Sequence, residues 1–159
     1  MSRFLIRRLD ALNPYSPGEQ PQDSKYIKLN TNECPYPPSP RVFEVINQDE
    51  LCSLQLYPDP EAKAFIKTLA EYYRVHPSQV MVGNGSDEIL AFFFMAFCDN
   101  EKKVAFPDIT YGFYKVFAKL FGVDALQIPL RDDFSIDAED YVGLGRNIVI
   151  ANPNAPTGL

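Results

Sequence analysis

The chain has 159 residues, 46% hydrophobic and 23% charged, with a net charge of -6 at pH 7. That supports one ordinary globular core and disfavours a broad nucleic-acid surface, while leaving a local anion pocket open. No run approaches the ~18 uninterrupted apolar residues of a membrane span, and three cysteines with one histidine fit neither a disulfide framework nor a transition-metal cluster, which points to a reducing cytoplasm.

At the N-terminus, Met1–Asp10 threads Arg3, Arg7 and Arg8 among Phe4, Leu5, Ile6 and Leu9. A secretion signal would set its charges ahead of an apolar core, so this segment reads as a helical arm with an apolar stripe. From Leu12 to Pro40 repeated prolines predict an extended arm or loop, with a short edge strand over Ile27–Leu29 and a short helix over Arg41–Asn47. From Glu61 the pattern turns regular: Ala62, Phe65, Ile66, Leu69 and Tyr72 or Tyr73 recur at the three-and-four spacing of an amphipathic helix. Val80–Val82 reads as a short strand. Asp87–Cys98 is a helix apolar nearly all the way round, as expected of one buried on several sides. Val104–Phe106 is the next strand, Tyr111–Phe121 a helix ended by Gly122, Ala125–Ile128 a strand, Asp137–Leu144 a helix and Asn147–Ala151 a strand. This alternation predicts an α/β three-layer sandwich, with a mostly parallel sheet covered on both faces and preceded by an N-terminal arm.

Chemistry is expected where strands end. Gly83-Asn84-Gly85-Ser86-Asp87-Glu88 runs from a strand straight into a helix, whose unpaired first amides and positive dipole end suit a phosphate. The plainer alternative is that Ser86 or Asp87 caps the helix and the glycines form its entry turn. The third glycine of a dinucleotide fingerprint and the lysine of a P-loop are both missing. Tyr111, after the next strand, offers a flat ring to a flat ligand or packs on its neighbours. Tyr57, in the stiff turn Tyr57-Pro58-Asp59-Pro60, offers a hydroxyl to an anion or packs in its loop. At Asn147–Leu159 an apolar run breaks into Asn, Pro and Gly, presenting amide side chains at the sheet edge where α/β ligands bind. The chain stops one residue after Gly158 without a closing element, and reads as the first part of a larger enzyme.

Taken in order, Leu29-Asn30-Thr31-Asn32-Glu33, Tyr57-Pro58-Asp59, Gly83 to Glu88, Pro107-Asp108-Ile109-Thr110-Tyr111 and Asn152-Pro153-Asn154-Ala155-Pro156-Thr157-Gly158 resemble the fold-type I pyridoxal-phosphate aminotransferases. Within them the histidinol-phosphate aminotransferase group is nearest. The resemblance implies that residues 1–50 form an N-terminal arm and part of a small domain, and that 51–159 form the first part of the cofactor-binding large domain. It implies pyridoxal 5'-phosphate held through the backbone at Gly85, Ser86 and Asp87, with Tyr111 stacked on the pyridine ring. Tyr57 would reach the cofactor phosphate of the other subunit of a homodimer. Asn154 would bond the ring oxygen, although many relatives place that asparagine where Ala155 stands here, so Asn152 remains an alternative. Tyr15, Asn30, Asn32 and Glu33 would meet the substrate. That substrate would be an amino-acid or amino-alcohol phosphate exchanging its amino group with 2-oxoglutarate or glutamate, in a cytoplasmic enzyme of histidine biosynthesis. The Schiff-base lysine and the aspartate facing the ring nitrogen would lie beyond Leu159, and none of the lysines here occupies a matching position. Threonine-phosphate decarboxylases and aromatic aminotransferases share much of this pattern, and a non-catalytic phosphate- or nucleotide-binding module is the alternative of another class.

Overall fold

The structure, a computed structural model, describes residues 33–46 and 48–159 together with Leu9, Leu12, Ile27 and Leu29. The chain divides into two compact units, residues 14–81 on one hand and residues 82–159 with 1–13 on the other.

The unit of residues 82–159 is built on a parallel sheet of three strands, β1 (Val104–Pro107), β2 (Ala125–Ile128) and β3 (Asn147–Ile148), in the order β2-β1-β3. Val104 stands opposite both Ala125 and Asn147. All four residues of β1 are buried because the strand has a neighbour on each edge and cover on each face. The alternation of side chains along a strand sends Val104 and Phe106 to one side and Ala105 to the other. Val104 and Phe106 meet Phe94 and Phe117, from helices α4 (Ser86–Phe97) and α5 (Phe113–Phe121). Ala105 meets Ile128 and Tyr141, the latter in a 3-10 turn at Ala138–Tyr141. Full burial of rings such as Phe94 and Phe106 contributes roughly 1.5–3 kcal/mol each.

Polar ties fix the opposite end of the sheet from the loops discussed below. Arg146 donates to the Asp124 carbonyl at 3.1 Å and to its carboxylate at 3.0 Å, and Lys103 lies 3.2 Å from the same carboxylate. The hydrogen bond from Arg146, reinforced by Lys103, holds the Asp124 carboxyl below the usual carboxylate range. Asn147 Nδ2 donates to the Phe97 carbonyl at 2.6 Å, tying β3 to the end of α4.

Five expectations are corrected here. Val80–Val82 forms no strand: a β-prone sequence gives an extended chain, but a strand also needs a neighbour to bond, and none is present among the described residues. Asp137–Leu144 is no helix beyond the 3-10 turn Ala138–Tyr141, which Asp137 caps by accepting from Glu139 N at 3.0 Å and which Gly143 and Gly145 keep from propagating. The last strand is two residues long, although Val149 N still donates to the Ala105 carbonyl at 3.0 Å. Helix α4 is buried on one side only: Phe94 is covered, while Phe92, Met95 and Phe97 are exposed, because the sheet and α5 cover a single face. Helix α5 begins at Phe113, two residues after the expected start.

The unit of residues 14–81 contains α1 (Pro40–Val45), α2 (Gln48–Ser53), α3 (Lys63–Tyr73) and a 3-10 turn at Pro77–Gln79. Ser39 caps α1 and Pro40 sits at its first position, the arrangement expected of a proline that needs no donor there. Helix α2, a six-residue stretch without apolar periodicity, has no counterpart among the sequence expectations. In α3 the covered side is Ala70 with Ile66 and Leu69, whereas Phe65, Tyr72 and Tyr73 are exposed. His76 is a cap: its Nδ1 accepts from Ser78 N at 3.3 Å while Gln79 Oε1 accepts from His76 N at 2.9 Å. No strand is formed at Ile27 or Leu29, and Lys28 lies outside the described residues. Among the described residues no cluster of metal-ligating side chains occurs, and no helix is long and apolar enough to cross a membrane.

Candidate functional site

Three loops of the unit of residues 82–159 meet at one edge of its sheet. The first enters α4. Gly85 N donates to the Gly83 carbonyl at 3.1 Å, and Asn84 N donates to Glu88 Oε2 at 2.6 Å, closing a tight turn. A Cβ on Gly83 would come within 2.8 Å of both Glu88 Oε2 and Ile89 Cδ1, and Gly85 takes φ +88, a left-handed conformation that glycine adopts without steric cost. Gly85 is the N-cap and has no side chain to offer, so neither Ser86 nor Asp87 caps the helix as the plainer reading had it. The first amide to find a backbone acceptor is that of Ile89, bonded to the Gly85 carbonyl at 3.4 Å. The amides of Ser86, Asp87 and Glu88 and the exposed Ser86 hydroxyl have no partner among the described residues. Open donors at the start of a twelve-residue helix form an anion cradle, reinforced by the helix dipole. The adjacent carboxylates are each engaged, Glu88 by Asn84 N and Asp87 by a tyrosine.

That tyrosine belongs to the second loop, between β1 and α5. Asp108 shapes the loop: its N–H donates to the Ile128 carbonyl at 2.9 Å, and its Oδ1 accepts from Ile109 N at 2.8 Å and Leu130 N at 3.1 Å. Tyr111 follows, half-buried, its hydroxyl donating to Asp87 Oδ1 at 2.8 Å. Its ring stacks on Phe113 (centroids 5.6 Å apart, planes at 16°) and meets Tyr114 edge-on. Tyr111 and the α4 start therefore open together, as one site requires.

The third loop follows β3. Asn154 is 2% exposed. Its Oδ1 accepts from the Thr110 hydroxyl at 2.7 Å, and its Nδ2 donates to the Ile109 carbonyl at 3.0 Å and to Thr157 Oγ1 at 3.1 Å. Asn152 and Ala155 are exposed, and both Asn152 and Asn154 line a cavity of about 330 Å³ with Phe134, Ile136, Ile150 and Leu159.

Of the other candidates, Glu33 is exposed, and Tyr15, Asn30 and Asn32 lie outside the described residues. Tyr57, in the unit of residues 14–81, is fully exposed. Three contributors escaped the sequence reading. Glu88 has a readable signal, a carboxylate four residues after Asn84 at a helix start. Thr110 and the bond from Tyr111 to Asp87 have none, because their partners are 44 and 24 residues away along the chain.

A parallel α/β sheet whose strand-end loops gather an uncapped helix start, an aromatic ring and an Asn-Pro-rich turn at one edge places them where open α/β sheets bind small ligands. Residues 24–159 match the family Aminotransferase class I and II, and the chain belongs to that family. It is 52% identical over its whole length to the histidinol-phosphate aminotransferase of Brachyspira hyodysenteriae and 53% identical over 99% of its length to that of Clostridium acetobutylicum, covering 45% of each. The chain thus spans a little under half the length of these curated relatives. Among solved structures, the histidinol-phosphate aminotransferase of Sinorhizobium meliloti in complex with pyridoxal-5'-phosphate superposes with a TM-score of 0.80 at 20% identity, over 98% of this chain and 44% of that one. This likeness establishes the shared fold.

Proposed function

We propose that the full-length protein is a pyridoxal-phosphate-dependent aminotransferase that moves an amino group between histidinol phosphate and 2-oxoglutarate, as a cytoplasmic homodimer in histidine biosynthesis. Family membership and two relatives of about 50% identity that carry this activity in their names support the reaction. The observation that carries the cofactor is the open start of α4 beside Tyr111: three unpartnered amides and the Ser86 hydroxyl match the acceptor oxygens of a phosphate monoester.

When bound, pyridoxal phosphate supplies an electron sink for the carbon that bears the amino group. The residues of this chain bind and orient. The Ser86, Asp87 and Glu88 amides, reached closely because Gly83 and Gly85 lack side chains, would hold the phosphate; Glu88 takes the place expected of Gly85, whose own amide is spent on the Gly83 carbonyl. Tyr111, fixed by its bond to Asp87, would stack on the ring, and the ring oxygen is assigned to the 152–154 loop. Tyr57, exposed in its turn, is assigned to the phosphate of the partner subunit's cofactor. Tyr15, Asn30, Asn32 and Glu33 are assigned to the substrate.

The test is titration of the full-length gene product with pyridoxal phosphate, followed by an assay with histidinol phosphate and 2-oxoglutarate. A new visible absorbance band and stoichiometric glutamate are expected. Release of carbon dioxide from an amino-acid phosphate would move the protein to the decarboxylases, and nucleotide binding without the visible band would make it a binding module.

A further inference from the structure

Both N–H donors and the carbonyl oxygen of the Asn154 side chain already have partners within the chain. An asparagine side chain offers two N–H donors and one carbonyl oxygen. The Ile109 carbonyl can only accept, so the amide nitrogen must face it at 3.0 Å, which leaves Oδ1 to accept from Thr110 at 2.7 Å. The second N–H is directed to Thr157 Oγ1 at 3.1 Å. At 2% exposure the amide has little access to bulk solvent, so these bonds are costly to break. They join the loop after β3 to the loop after β1, one residue before Tyr111, whose hydroxyl is in turn bonded to Asp87 at the α4 start. The third loop is thereby connected to the anion cradle through Thr110 and Tyr111.

Building on the aminotransferase reading above, we propose that Asn154 is a positioning residue that staples the loop after β3 to the loop after β1 through Thr110, and so sets where Tyr111 stands beside the cofactor, without itself bonding the cofactor.

The experiment uses the full-length gene product and four variants: Asn154→Ala, Thr110→Val, the double variant, and Thr110→Ser. Hydrogen exchange without cofactor reads the staple over residues 109–114 and 152–159. Titration with pyridoxal phosphate reads affinity, the circular dichroism of the visible band and the pH midpoint of that band. Exchange should accelerate in both segments in Asn154→Ala and in Thr110→Val, which keeps the volume of threonine and tests the idea even if the first variant folds poorly. Each single variant should bind the cofactor about tenfold more weakly, with reduced circular dichroism and an unmoved pH midpoint. The double variant should be no worse than Asn154→Ala within about twofold, since the two residues act through one contact, and Thr110→Ser should restore binding to within about threefold. Unchanged exchange, additive losses, or a pH midpoint displaced in Asn154→Ala but not in Thr110→Val would overturn the positioning role. A wild-type protein that binds no pyridoxal phosphate overturns the aminotransferase reading as well, whereas normal wild-type binding with independent variants overturns the staple alone.

Discussion

Two helices of nearly equal length begin in opposite ways. Helix α3 is tied at its start from within: the Asp59 carboxylate accepts from Glu61 N at 3.0 Å in the turn before the helix and from Lys63 N, its first helical amide, at 2.8 Å, so one of its first donors is spent on the chain itself. Helix α4 has a glycine where a cap would stand, and three amides are left without a partner among the described residues. The first amides of α4 lie in exposed residues, open to water or to a ligand. A helix start without a side-chain cap and lined with Gly83, Gly85 and Ser86 therefore leaves room for an anion to approach the backbone. The contrast also separates the charges: Asp59 serves its own helix, while Asp87 is turned aside to hold Tyr111.

The strongest way to break the contrast is to give the α4 start the stiffness of an ordinary residue. Gly85→Val must force a branched side chain into φ +88, a conformation that costs about 1–3 kcal/mol. Cofactor affinity of the full-length protein should fall by up to about a hundredfold, measured by absorbance titration. Ser86→Ala sharpens the contrast, because it removes a hydroxyl that has no internal partner. Pyridoxal-phosphate affinity should drop about tenfold while thermal stability of the apo protein stays within about 0.5 kcal/mol. Equal losses in both measurements would make Ser86 part of the fold. The smallest effect belongs to α3. Backbone hydrogen bonds from Lys63 and then Glu61 hold the Asp59 carboxyl below its usual range. A depressed folded value means that the carboxylate stabilises fully above the ordinary carboxylate pKa and loses that contribution as pH falls through the folded value. Asp59→Ala should therefore lower the melting temperature slightly at neutral pH, with the gap to wild type closing in strong acid.

The fold was legible where structure is local. The apolar periodicity of Lys63–Tyr73, the short apolar runs at Val104 and Ala125, and Gly122 after Phe121 each marked an element close to where it lies. Errors fell where a neighbour decides: Val80–Val82 has strand residues without a partner strand, and 137–144 has helix formers interrupted by Gly143 and Gly145. Within the site, the Gly83–Ser86 turn could be read because glycine spacing at a helix start is a local signal. The role of Asn154 could not, because burial and the reach of Thr110 from 44 residues away fix it.

By itself, then, the sequence determined most of the alternation of strand and helix, the glycine turn into α4 and the family pattern of motifs, since each depends on residues within a turn or two of one another. Only the tertiary structure decided that Tyr111 bonds to Asp87, that Asn154 closes on Thr110, and that one side of α4 is covered. Such contacts exist only after the β1–β3 crossovers have closed, when distance through space no longer follows distance along the chain.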